Sequence, residues 1–317
     1  MGRISTSPRR PFRRPSGRPI GPREAAFGER PPYSVSVSTR FTDLVGCELP
    51  IQLAAMGGVG TTELAAVVAD AGGLGMVNLA TEPAPGACGK NFLMPFVPDL
   101  ETVREAAGHT RVIEFFYGDP RADLVGAVHA GGALAAWQVG SVAEAVAAAE
   151  VGCDFVVAQG IEAGGHVRGK VTLDALLPQI LSAVRVPVVA AGGIATAERV
   201  AELLRRGADG VRVGTRFIAT PESCAHPDYV GRLLSATGAD TVITEWFGEG
   251  WEQAPHRVLR AAAAAAKVTG WRGVMPPTRD TERAPEDMAM YAGTGVGDVR
   301  MVQPATEVVA DLVRLLF

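Results

Sequence analysis

Short apolar runs alternate with helix-like segments through most of the chain, and this alternation constrains the fold more than any other feature of the sequence. Eight such runs follow residue 40, and they cover residues 50–56, 74–80, 90–96, 111–117, 133–139, 153–159, 186–192 and 209–215. Continuous apolar runs are typical of strands buried on both faces, and strands that alternate with helices form parallel sheets. Eight units over about 200 residues predict the α/β class and a closed (β/α)8 TIM barrel rather than an open doubly wound sheet.

Most of the connections between these runs have amphipathic helical spacing. The clearest segments are TTELAAVVADAG, DLETVREAAGHT, SVAEAVAAAEVG, TLDALLPQILSAV and TAERVAELLRRG. Only TEPAPGACG separates the second run from the third, and its two prolines and two glycines make it too short and too broken for a covering helix. We therefore expect one side of the barrel to be thinly covered.

The alternation stops after the eighth run. The stretch AHPDYVGRLLSATGADTVIT begins a mostly helical region, and AAAAAAK strongly favours a helix. The final ATEVVADLVRLLF also has helical spacing and is expected to pack back on the barrel. The sequence thus predicts a barrel formed by residues 39–219 and 291–317, with a small mostly helical cap over its mouth formed by residues 220–290.

The first 38 residues differ in composition from the rest. Residues 1–35 contain eight arginines against two glutamates, whereas the whole chain has a net charge of −4. Many prolines and few apolar residues indicate a disordered basic extension, or a start codon placed too early, and we favour this over a nucleic-acid-binding arm. No apolar stretch is long enough to cross a bilayer, and no secretory signal is visible, so we expect a cytoplasmic protein without membrane or nucleic-acid partners.

Three glycine-rich stretches fall just after predicted strands, where barrel enzymes place their functional groups. They are QGIEAGGHVRG, AAGGIAT and VGTRF. Gly192 and Gly193 precede a helix with Thr196 as its expected N-cap, so their backbone N–H groups favour an anion. Gly214 and Thr215 supply a second set of donors. Either pair alone fits a simple tight turn equally well, but together, after the seventh and eighth strands, they predict a phosphate site.

His166 is the candidate catalytic residue. A loop histidine is more often a surface or structural residue, but two glycines precede this one at the catalytic face, and imidazole exchanges a proton near neutral pH. Glu162 is a general base in principle, although anchoring its own loop is the simpler role. His109 and His129 are expected to face solvent, and His226 and His256 are assigned to helices or the cap.

No metal site is predicted. The four cysteines, Cys47, Cys88, Cys153 and Cys224, lack paired ligand spacing, and no histidine or carboxylate cluster supplies it. Cys153 opens a predicted strand, so burial is its expected role.

The chain resembles the nitronate monooxygenase family, formerly called 2-nitropropane dioxygenases, from about residue 41 to the C-terminus. The resemblance rests on QGIEAGGHVRG, on PVVAAGGIATAERVAELLRRGADGVRVGTRF, on AHPDYVGRLLSATGADTVIT and, more weakly, on YAGTGVGD. It implies FMN as cofactor, no metal, and His166 as the active-site histidine. The resemblance places Met56, Asn78, Gln159 and Gly164 near the flavin ring, and Gly193, Gly214 and Thr215 around the phosphate. Gly192, Arg212 and Val213 complete the set of residues expected to bind the cofactor.

The sequence departs from the family pattern in three places. Ala55 stands where proline is common, and Arg212 stands where glutamine is usual. The positive charge of Arg212 would suit an anionic ligand or pair with an acid. The third departure is the missing second helix, which leaves the oligomeric contacts open, including those of a homodimer.

The resemblance implies FMN-dependent oxidation of alkyl nitronates by O2 to a carbonyl compound and nitrite. An NAD(P)H-dependent flavin reductase acting on enoyl thioesters or quinones is the main alternative, because related reductases share the EAGGH and GTRF motifs. A catalytically silent protein that binds a flavin or a phosphate ligand is the third hypothesis.

Overall fold

A computed structural model describes residues 36–82 and 88–317. The first 35 residues of the expected basic extension, and residues 83–87 within TEPAPGACG, lie outside the described residues. The described part of that connection, residues 79–82, contains no helix. Within the described residues, no helix combines the length and apolarity that a membrane span requires.

Eight parallel strands form a closed barrel, as predicted, and every predicted run contains or overlaps one of them. The strands of the described residues are β1 (Ile51–Leu53), β2 (Gly75–Asn78), β3 (Cys88–Leu93), β4 (Val112–Phe116), β5 (Leu134–Val139), β6 (Phe155–Gln159), β7 (Gly165–His166), β8 (Val188–Ala191), β9 (Gly210–Val213), β10 (Thr241–Thr244) and β11 (His256–Leu259). The barrel order is β1-β9-β8-β6-β5-β4-β3-β2, and a parallel bridge between Gln52 and Leu74 joins β1 to β2.

Helices surround this barrel. They are α1 (Arg40–Val45), α2 (Thr62–Asp70), α3 (Leu100–His109), α4 (Ala122–Gly131), α5 (Val142–Glu150), α6 (Leu173–Ala183), α7 (Ala197–Arg205), α8 (Thr215–Ile218), α9 (Pro227–Ser235), α10 (Arg260–Thr269) and α11 (Ala305–Val313). The five predicted segments correspond to α2, α3, α5, α6 and α7, and each segment begins at a Ser, Thr or Asp whose side chain caps the helix. The terminal helix α11 contacts α2 and α7, which confirms that it packs back on the barrel.

The region over the barrel mouth contains strands as well as the predicted helices. Helices α9 and α10 lie in the segment expected to be mostly helical, but β10 and β11 were not predicted. They form an antiparallel sheet with β7, which comes from the glycine-rich loop after β6. The cap is therefore hydrogen-bonded directly to the loop that carries His166.

The barrel interior is apolar at one end and polar nearer the mouth. Phe41 of α1 packs edge-on against Phe155 at a ring-centroid distance of 5.4 Å and closes the apolar end. Five polar side chains from five strands are buried in the polar part: Gln52, Asn91, Glu114, Gln138 and Arg212. Arg212 forms an ion pair with Glu114, so of the two roles considered for this residue, pairing with an acid is the one observed.

Replacing Gly75 by alanine is expected to destabilise the barrel. A Cβ atom built on Gly75 would lie 2.0 Å from the backbone oxygen of Ala65, so strand β2 and helix α2 would have to separate. Such overpacking costs about 1–3 kcal/mol, which urea or thermal unfolding would measure. Gly126→Ala is the matched control, because Gly126 lies at an exposed position of α4 with nothing within 4 Å of the added atom. It should raise stability by about 0.5–1 kcal/mol. Equal stability of Gly75→Ala and the native protein would contradict the described packing.

Candidate functional site

The loop after β6 is held in place by the last residue of that strand. The Gln159 side chain donates from Nε2 to the backbone oxygen of His166 at 2.9 Å. Gly164 permits close packing within this loop, because a Cβ atom there would lie 2.6 Å from the backbone nitrogen of Gly293. Gly164 thus lets the loop lie against the segment that follows Tyr291.

Aromatic side chains enclose His166. Its ring stacks on Trp251 at a centroid distance of 4.0 Å and an angle of 25°, and it contacts Tyr117, His256 and Tyr291 at 5.8, 5.3 and 6.0 Å. Its Nε2 atom is buried and has no hydrogen-bond partner among the described residues. Burial, with a smaller contribution from His256, lowers the pKa of His166 to about 3. His166 is therefore a neutral imidazole at physiological pH.

His256 is a second histidine of this cluster. Its Nδ1 atom donates to the backbone oxygen of Ala254 at 2.8 Å, so the proton of the neutral ring is on Nδ1. Its buried Nε2 atom has no partner within the described residues, and burial lowers the pKa of His256. The sequence assigned His256 only to the cap. Its contact with His166 depends on pairing between β7 and β11, which no local pattern indicates.

Glu162 anchors the loop, as expected. Its carboxylate accepts from the backbone N–H of Leu173 at 3.1 and 3.0 Å, at the start of α6. Its backbone oxygen accepts from Thr294 at 2.9 Å. Among residues 36–82 and 88–317, no group of three or more His, Cys, Asp or Glu side chains is arranged to hold a metal ion.

Two glycine turns present unpaired backbone donors. Gly192 and Gly193 have φ values of +115° and +68°, which side chains other than glycine rarely adopt. Thr196 caps α7, as predicted, by accepting from the N–H of Arg199 at 3.3 Å. The backbone N–H groups of Gly192, Gly193, Gly214 and Thr215 donate no hydrogen bond to another described residue. These four N–H groups, which we call the amide cradle, are free to bind an anion.

A third segment lies against the amide cradle, and none of its residues was among the predicted site residues. The N–H of Gly293 donates to the Thr215 hydroxyl at 3.0 Å. A Cβ atom on Gly295 would lie 2.9 Å from the oxygen of Gly193. These residues belong to YAGTGVGD, whose alternate glycines were the available signal.

Met56 and Asn78 lie at the same end of the barrel. The Asn78 side chain donates to the backbone oxygen of Met56 at 3.4 Å and to the Thr81 hydroxyl at 3.0 Å. A Cβ atom on Gly214 would lie 3.8 Å from the sulfur of Met56, so the loops after β1 and β9 adjoin. Val213 is buried in the wall between them and accepts from the N–H of Ala54.

The Arg212 side chain lies inside the barrel, where it donates hydrogen bonds to three other strands and none to the four residues of the amide cradle. Its Nε atom donates to Gln52 at 3.4 Å, and its two terminal nitrogens donate to Gln138 and Glu114. Asn91 donates to the same carboxylate at 2.7 Å. Burial lowers the pKa of Arg212 to about 9, and the adjacent carboxylate favours the charged form, so the guanidinium is cationic at neutral pH.

Comparison with known proteins agrees with this geometry. The family model described as nitronate monooxygenase matches residues 94–314. A nitronate monooxygenase of Pseudomonas aeruginosa is 30% identical over 88% of this chain and 99% of its own length. The structure of FabK from Thermotoga maritima superposes with a TM-score of 0.75 at 28% identity, covering 88% of this chain and 96% of that one.

A related protein from Rhodococcus jostii has a different name. It is a 5-hydroxy-7a-methyl-1-oxo-octahydro-1H-indene-4-carboxyl-CoA dehydrogenase, 35% identical over 71% of this chain and 66% of its own length. The chain thus spans about two thirds of that protein. Since the family model covers more than half of the chain and the Pseudomonas protein aligns over nearly its full length, the chain belongs to the nitronate monooxygenase family of oxidoreductases.

Proposed function

We propose that the protein binds FMN and oxidises alkyl nitronates with O2 to a carbonyl compound and nitrite. The observation that carries the proposal is the neutral, buried imidazole of His166, whose Nε2 lacks a partner at the end of the barrel where the amide cradle lies. Membership of the nitronate monooxygenase family supports the same chemistry.

The residues of the site fit FMN. Its dianionic phosphate matches the amide cradle, which lacks internal partners. Gly192 and Gly193 precede α7, and Gly214 and Thr215 lie at the start of α8. Close packing around Gly193 supports the fit, because a Cβ atom there would lie 3.1 Å from the Thr294 hydroxyl. Gly192, Gly193, Gly214 and Thr215 would hold the phosphate, and the backbone of Arg212 and Val213 leads into that turn. Met56, Asn78, Gln159 and Gly164 would border the ring.

When bound, FMN would supply the electron transfer between the nitronate and O2. The protein's own contribution centres on His166. A neutral imidazole carries one N–H donor and one acceptor, so with the proton on Nε2 it donates a hydrogen bond to an oxygen of the nitronate. The rings of Trp251, Tyr117 and Tyr291 exclude water from this contact and offer an apolar surface to the alkyl group.

An NAD(P)H-dependent reductase of enoyl thioesters or quinones is the second candidate. The near-parallel stack of His166 on Trp251 favours it, because the same aromatic surface would accept a nicotinamide ring. The similarity to FabK and to the CoA dehydrogenase of Rhodococcus supports it as well. The nitronate hypothesis is preferred because the family model and the nearly full-length relative both carry that name.

The two candidate functions are distinguished by mixing the FMN-loaded protein anaerobically with an alkyl nitronate and, separately, with NADH. We expect the nitronate to bleach the flavin absorbance rapidly and NADH to bleach it slowly, and we expect nitrite to form on turnover in air. Absorbance at the flavin band and a colorimetric nitrite assay measure the two outcomes. Fast bleaching by NADH alone would favour the reductase, and bleaching by neither would favour a silent binding protein.

Replacing Gly193 by alanine is expected to weaken FMN binding at least about tenfold, because the added Cβ atom forces the turn out of its left-handed conformation. Titration of apoprotein with FMN, followed by quenching of flavin fluorescence, measures the dissociation constant. Gly207→Ala is a matched control, because Gly207 has a φ of +100° at the other end of the same helix, away from the cradle. Equal weakening in both variants would show that the effect is general strain.

Replacing His166 by asparagine is expected to reduce kcat/KM for the nitronate by about 10²–10⁴-fold while FMN stays bound. The imidazole N–H is removed from the substrate contact, whereas the amide cradle is untouched. Steady-state nitrite formation, normalised to bound flavin, measures the loss. His129→Asn is the control, because His129 pairs with Asp154 in a partly exposed position outside the site.

The same variant separates a structural role from a chemical one. Between pH 6.5 and about 3 the unfolded chain binds a proton at residue 166 that the folded protein does not. This residue therefore makes the protein less stable as pH falls, by up to about 1.4 kcal/mol per pH unit. His166→Asn should lose that part of the slope in unfolding experiments. If the variant keeps its activity while its stability depends less on pH, His166 is buried in the folded protein but has no catalytic role.

A further inference from the structure

The five polar side chains inside the barrel, Gln52, Asn91, Glu114, Gln138 and Arg212, lie beneath the mouth, and we call them the polar floor. They are not equally buried. Arg212, Gln138 and Asn91 each keep 7% of their surface exposed, whereas Glu114 and Gln52 are fully buried. Side chains alternate along a strand, so Arg212 and Gly214 are successive inward positions, about 7 Å apart along β9. The guanidinium therefore lies one layer below the Gly214 end of the amide cradle.

The two members of the ion pair, Arg212 and Glu114, also differ in how fully their hydrogen-bonding groups are used. A guanidinium has five N–H donors, and Arg212 uses one on each of its three nitrogens, toward Gln52, Gln138 and Glu114. Two N–H groups remain without a partner among the described residues. The carboxylate of Glu114, in contrast, accepts from Asn91, Gln52 and Arg212. The cationic member of the pair thus has both the residual exposure and the unused donors.

A cation at this depth requires a counter-charge. An unpaired guanidinium in the interior would be strongly unfavourable, and Glu114 offsets that cost. Arg212 therefore brings a positive charge to the barrel interior. That charge is balanced by Glu114, which lies on β4 across the barrel. A pair used only for packing would not need two N–H groups left without a partner.

We propose that Arg212 is a charge-selective contact for a planar, negatively charged group bound in the mouth, with Glu114 limiting the strength of the attraction. This rests on the proposed function, in which two such groups occur: reduced FMN, which is anionic at neutral pH, and the nitronate substrate. Both carry acceptor atoms that match the unused N–H groups of Arg212, and each is distinguished from a neutral counterpart by its charge.

The test uses Arg212→Gln/Glu114→Gln, which removes both charges and leaves no unpaired ion. Titration of apoprotein measures the dissociation constants of oxidised and reduced FMN. Their ratio sets how far the midpoint potential of bound FMN differs from that of free FMN, so the potential is an independent check. We expect the constant for oxidised FMN to change little and that for reduced FMN to rise about tenfold. If the nitronate is the group recognised, the FMN ratio stays constant and the KM for nitronate rises about tenfold instead.

Glu114→Gln alone is the opposite variant, because it keeps the guanidinium and removes its counter-charge. It should tighten binding of the same anionic group that the double variant weakens. Unchanged ratios and unchanged KM in the variants, or shifts of the same sign in both, would overturn the inference and leave the proposed function intact. Failure of the native protein to bind FMN would instead overturn the proposed function.

Discussion

Closure of the barrel between its first two strands is the constraint on which the site depends. Leu53 donates to the oxygen of Leu74 at 2.9 Å, and Leu74 donates to that of Ile51 at 2.8 Å, so β1 is paired on both sides. Because all eight strands are parallel, closure brings their C-terminal ends to one rim. Met56 after β1 and Asn78 at the end of β2 become neighbours only through this ring.

The polar floor shows that the barrel interior is not organised for stability alone. A buried ion pair rarely stabilises a fold more than apolar packing of equal volume would, because both ions lose their hydration. This chain nevertheless places Arg212 and Glu114 opposite each other and surrounds them with three amide side chains. The apolar layer around Phe155 lies farther from the mouth and carries the packing.

Local patterns predicted the barrel and the glycine turns, whereas long-range pairings went undetected. Buried parallel strands are continuously apolar, and a left-handed turn requires glycine, so each is visible in a few residues. Helix α4 was not among the predicted helical segments, and two glycines weaken its helical signal. The contacts of His166 with His256 and Trp251, and of Arg212 with Glu114, link residues far apart in sequence. Only the register of β7 with β11, and closure of the barrel, bring these partners together.

The unsatisfied groups of the site favour an anionic ligand over a neutral one. A buried donor without a partner costs about 1–3 kcal/mol, and a ligand that satisfies it recovers that free energy on binding. At the mouth these groups are the amide cradle, the unused N–H groups of Arg212 and, in the tautomer proposed, Nε2 of His166. The carboxylates of Glu114 and Glu162 are already occupied by internal donors. Nε2 of His256 is a free acceptor beside these donors, but the donors outnumber it. A phosphate and a nitronate present only acceptor oxygens, so both would satisfy the donors through the same physical preference.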